Sequence, residues 1–61
     1  MANNGREYAK MMNRMNVDSL KKEMKTFWVI WDNESDEYRT EFVKIVKPDV
    51  MVYILNHSKM A

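Results

Sequence analysis

The chain contains no cysteine, one glycine (Gly5), one proline (Pro48) and one histidine (His57). Without cysteine there is neither a disulfide framework nor a thiolate metal site. A single imidazole falls short of the three or four ligands that a zinc centre needs. The lone glycine lies in the polar opening Met1-Ala2-Asn3-Asn4-Gly5, so no glycine-rich loop is available to cradle a phosphate. Long apolar runs are also missing. The longest, Phe27–Trp31 and Val50–Leu55, are far shorter than the roughly 20 residues of a membrane helix. No apolar stretch follows Met1 to suggest a secretory signal, so Asn33-Glu34-Ser35 and Asn56-His57-Ser58 read as chance glycosylation triplets. A cytoplasmic location is the expectation.

What is present is apolar bulk in a short chain. The 61 residues allow one domain, 1–61, with residues 1–5 expected to fray. A chain this small typically buries only about 60% of the surface exposed by its unfolded form. Two Trp, three Tyr, two Phe and seven Met, within 46% hydrophobic residues, supply the packing material and argue against disorder.

Net charge is +1, which gives no bulk preference for polyanions, yet the charges are segregated. Residues 1–26 carry six bases against three acids. Residues 27–41 carry five acids against Arg39. Residues 42–61 return to three lysines against Asp49. A basic–acidic–basic order permits head-to-tail attraction, within the fold or between protomers.

Tyr8, Met11, Met12 and Met15 recur at helical spacing from Arg6 to Met15, with Arg6, Lys10 and Arg14 on another side. Asn3 or Asn4 is placed to cap this helix, and Asp18 or Ser19 to cap a second piece from Leu20 to about Lys25. Segments 26–32, 38–46 and 50–55 are β-branched and aromatic, separated by polar turn residues. Closing the first turn at Glu34-Ser35 pairs Trp31 with Tyr38, Val29 with Thr40 and Phe27 with Phe42. A Pro48-Asp49 turn sets Ile45 near Val52 and Val43 near Ile54. The expected fold is therefore α+β: one or two N-terminal helices packed on a three-stranded antiparallel β-meander. The alternative is an all-α bundle of short helices. There Ser35 caps a helix opened by Asp36 and Glu37, and Pro48 starts a last short one.

Catalysis finds few partners. Ser19, Ser35 and Ser58 lack a strained elbow, and His57 lies in a polar tail without an orienting third group. Glu37 and Glu41 supply a carboxylate pair but not the cleft that would shift them. Asp32-Asn33-Glu34-Ser35-Asp36 opens like a calcium loop and then fails, with Glu37 where glycine is required and Val43 where the bidentate glutamate belongs. No enzymatic activity, cofactor or metal is expected.

Binding is better supported. Met11, Met12 and Met15 form a soft, adaptable stripe. The second face of the expected sheet, with Trp28, Ile30, Val43, Ile45, Val52 and Ile54, requires a cover. The expected partner-binding residues are Met11, Met12, Met15, Trp28, Ile30 and Trp31, and the simplest cover is a second copy in a symmetric homodimer. The expected function is non-catalytic protein binding, as an inhibitor or regulator. The alternative is nucleic-acid contact through Arg6, Lys10 and Arg14, with Lys21, Lys22 and Lys25 beyond them and Asn13 and Asn16 reaching base edges. In general character (compact, cysteine-free, rich in Asn and Met) the chain resembles the small accessory proteins of bacteriophages and other mobile elements. That likeness implies binding to a host enzyme, although no motif carries it.

Overall fold

The structure, a computed structural model, describes residues 4–57. Residues 1–3 of the expected frayed start, and Ser58 and Lys59, lie outside the described residues. Four helices follow in order: α1 Gly5–Asn13, α2 Val17–Asn33, α3 Asp36–Ile45 and α4 Pro48–Asn56. No strand occurs among the described residues, so the expected meander over 26–32, 38–46 and 50–55 is replaced by helix, and α+β is corrected to all-α. The bundle of short helices is the architecture that forms.

The physical reason lies in the spacing of the largest side chains. Leu20, Met24, Phe27 and Trp31 are separated by four, three and four residues, which lines them along one side of α2. Leu20, Met24 and Phe27 are buried there and Trp31 packs beside them. Tyr38 and Phe42 on α3, and Val50 and Ile54 on α4, repeat the four-residue step. Helix propensity costs Val, Ile and the aromatics only tenths of a kcal/mol each, about 0.7 at most. Burial of one aromatic ring is worth about 1.5–3 kcal/mol, so the packing pattern prevails over β-rich composition.

The ends of the helices are specified locally. Asn4 Oδ1 accepts from Glu7 N at 2.8 Å, Asn16 Oδ1 from Ser19 N at 2.9 Å, and Ser35 Oγ from Tyr38 N at 3.2 Å. The cap of α2 is thus Asn16, not Asp18 or Ser19, which fall inside the helix. Pro48 opens α4 at a position where its missing N–H costs nothing.

The Glu34-Ser35 turn does bring Phe27 and Phe42 together, with ring centroids 5.4 Å apart, but as an αα-hairpin. Trp31 meets Phe42 at 5.7 Å rather than pairing with Tyr38, while Val29 and Thr40 both face outward. Tyr8 completes the aromatic centre, 6.1 Å from Phe27 and 5.8 Å from Phe42. Gly5 is buried where α1 meets α3. A Cβ there would run into the Tyr38 carbonyl oxygen and stand 2.8 Å from Phe42 N, so only glycine permits this approach.

Side chains tie the remaining corners. Asn13 donates to Ile45 O at 3.0 Å and accepts from Lys47 N at 2.9 Å, fastening the end of α1 to the α3–α4 connection. Trp28 Nε1 donates to His57 O at 3.2 Å, holding the end of α4 against α2. Among the described residues no helix is long and apolar enough to cross a membrane.

Candidate functional site

Glu7, Lys10, Met11 and Arg14 follow one another at i, i+3, i+4 and i+7, which places them on one side of α1 and its C-cap. After Met15 the chain turns at Asn16 into α2, and the first turn of that helix brings Ser19 alongside. These residues line a groove of about 420 Å³: Glu7, Lys10, Met11, Arg14, Met15, Asn16 and Ser19. Met11 is 40% exposed and Met15 is half-buried against the core, so two thioethers contribute apolar surface. Lys10 Nζ lies 3.6 Å from Glu7 Oε2. Arg14 makes no ion pair among the described residues and is the free cation of the groove. The N-terminus of α2 adds the positive end of a 17-residue helix to the same place. A polarizable apolar surface beside net positive charge suits an apolar side chain flanked by carboxylates.

The groove unites part of what the sequence suggested separately. Met11 and Met15 from the methionine stripe stand beside Lys10 and Arg14 from the basic stripe. Met12 does not join them. It is fully buried in the core and has no surface to offer a partner. Trp28, Ile30 and Trp31 are half-buried on α2, packed against the core, and do not line the groove. Arg6 turns toward α3, 3.7 Å from Glu41, so the three-cation stripe is not a continuous free row. Asn13 and Asn16, expected within reach of base edges, are occupied as a corner tie and a helix cap. Lys21, Lys22 and Lys25 are exposed on α2. The apolar residues of the expected second sheet face are dispersed. Ile54 is buried, Trp28 and Ile30 are half-buried, and Val43, Ile45 and Val52 are exposed at 51%, 36% and 55%.

The other chemical candidates take structural places. Asp32 and Asn33 belong to the last turn of α2, where Asn33 Nδ2 donates to Val29 O, while Asp36 is held 2.8 Å from Arg39 Nη1. That segment is helix end, cap and helix start rather than a chelating loop. Among the described residues no group of three or more His, Cys, Asp or Glu is placed to hold a metal ion. The His57 ring stacks on Tyr53 at 4.0 Å and its Nδ1 lies 2.8 Å from Tyr53 O. Glu37 and Glu41 border a second cavity of about 450 Å³ with Asn4, Glu34, Ser35 and Tyr38; Glu41 is paired with Arg6 and Lys44.

Two tyrosines are perturbed. Burial, then the hydrogen bond donated to Glu23 Oε2 and the nearby Glu23 charge, pushes the Tyr8 phenol well above its ordinary value. Burial, then the Glu34 charge, raises Tyr38. Both phenols are thereby held neutral, as packing and hydrogen-bonding groups.

Comparison with known proteins finds no relative: no family model matches the chain, and neither a curated protein nor a solved structure does.

Proposed function

We propose that the chain is a small non-catalytic protein-binding module, acting as a regulator or inhibitor by occupying the surface of a partner protein. The observation that carries this reading is the groove in which Met11 and Met15 stand beside Lys10 and Arg14. Methionine adapts its shape to different apolar side chains, and flanking cations select for carboxylates and set the orientation. A polyanion reader on α1 would gain from several free cations in a row, whereas of that stripe Arg6 and Lys10 are already paired with Glu41 and Glu7.

The test is a photoreactive phenylalanine derivative placed at Met11 in the groove, or at Val29, which is 58% exposed and outside it. Crosslinking in the native lysate should give a discrete, nuclease-resistant protein adduct from position 11 and little from position 29. A nuclease-sensitive adduct, or equal yields from the two positions, would contradict the proposal.

A further inference from the structure

We infer that the groove accepts the acidic α2–α3 corner of a second copy of this chain, so that protomers associate head to tail. The inference rests on the protein-binding reading above and names its partner.

The two surfaces lie at opposite ends of α2. The groove is built against its first turn, at Asn16 and Ser19, and the corner follows its last residue, Asn33. At 1.5 Å per residue the 17 residues of α2 extend about 25 Å, which matches the longest dimension of the molecule, 25 Å. One protomer therefore presents both surfaces at once.

The two surfaces are complementary in charge. The corner carries Asp32, Glu34, Asp36 and Glu37 within six residues, all exposed, and the Asp36 side chain is 99% exposed. Arg39 neutralises Asp36, while Glu34 and Glu37 make no ion pair among the described residues. The receiving surface is concave, holds the free Arg14, and is backed by the N-terminal end of α2. Arg14 in the groove and Glu34 and Glu37 at the corner are thus the charges left to oppose each other between protomers. Because the two patches differ, the contact is heterologous. It propagates into a chain or ring instead of closing as the symmetric pair expected from sequence. A groove of this size makes a contact below the area of stable complexes, and its charged content makes it sensitive to salt.

Mixing variants tests the geometry. Arg14→Glu abolishes the groove's attraction and leaves the corner intact. Glu34→Lys with Glu37→Gln neutralises the corner and leaves the groove intact; the lysine suits the negative end of α2, while the first turn of α3 keeps Asp36 and its Ser35 cap. Helical circular dichroism should be unchanged in both. By sedimentation velocity at low salt each variant alone should associate at least tenfold more weakly than the wild type. Their equimolar mixture should associate more strongly than either variant alone, since each mixed pair retains one good groove against one good corner. The inference is overturned if the variants associate as the wild type does, if the mixture stays monomeric while the wild type associates, or if the wild type is monomeric at millimolar concentration. If that last result accompanies a protein adduct from position 11, the head-to-tail arrangement fails while the protein-binding reading stands.

Discussion

At the scale of single residues, the core depends on a few side chains with two duties. Tyr8 packs its ring against Phe27 and Phe42 and donates its hydroxyl to Glu23. The raised pKa sets a pH dependence. In the unfolded chain the phenol ionises near pH 10, whereas in the fold burial and Glu23 keep it neutral to higher pH. Its contribution is complete below the unfolded value and is lost as pH rises above about 10, where only the unfolded state releases the proton. Tyr38 acts in the same direction. Tyr8→Phe should cost about 1 kcal/mol at neutral pH, the net worth of one hydrogen bond. It should also flatten the fall in urea midpoint between about pH 9.5 and 11.5 relative to the wild type. An equally steep fall in the variant would show that Tyr8 is not the group responsible.

At the scale of elements, α4 separates the helical reading from the strand reading most sharply. In a strand, Val52 and Ile54 would share a face and matter equally. In the helix, Ile54 is 2% exposed beside Val50, while Val52 is 55% exposed. Ile54→Ala should therefore cost about 2–5 kcal/mol, and Val52→Ala about 0.5 kcal/mol or less. Urea denaturation followed by circular dichroism measures both. Similar losses at the two positions would contradict the assigned face. The same contrast explains what was legible in the sequence. The helical spacing of Tyr8, Met12, Leu20 and Met24 was readable, as was Ser35 followed by Asp36 and Glu37, which is a helix start in its own right. From Phe27 onward the β-branched and aromatic residues suit either structure locally. The four- and three-residue spacing of Leu20, Met24, Phe27 and Trp31 favours the helix, and what makes that pattern prevail is the tertiary meeting of Phe27, Trp31 and Phe42 across the α2–α3 turn. Gly5 was hidden for the same reason, since its need for a missing Cβ arises only from α3 arriving beside it. Of the candidate site, the methionines and the bases were visible as two separate stripes. Glu7, Lys10, Met11 and Arg14 already share one side of a helix, but the groove exists only because the chain turns at Asn16.

At the scale of the whole molecule, the described residues close a single core around three aromatic rings, with no disulfide to assist them. The charge segregation seen along the sequence survives folding only in part. Arg6 and Lys44 pair with Glu41 within the protomer, while Arg14 at one end of α2 and Glu34 and Glu37 at the other are left without ion pairs among the described residues. With a net charge of only +1 and opposite charges at its two ends, such a molecule attracts its own kind weakly and in one orientation. Association between chains runs through the α1–α2 groove. Sedimentation equilibrium of the wild-type protein over a hundredfold concentration range, at low and at high salt, tests it most directly. The predicted result at low salt is an average mass that climbs from the 7.4 kDa of the monomer past twice that value, with no plateau at the dimer, and that returns toward 7.4 kDa at high salt. A mass fixed at 7.4 kDa under every condition would contradict it.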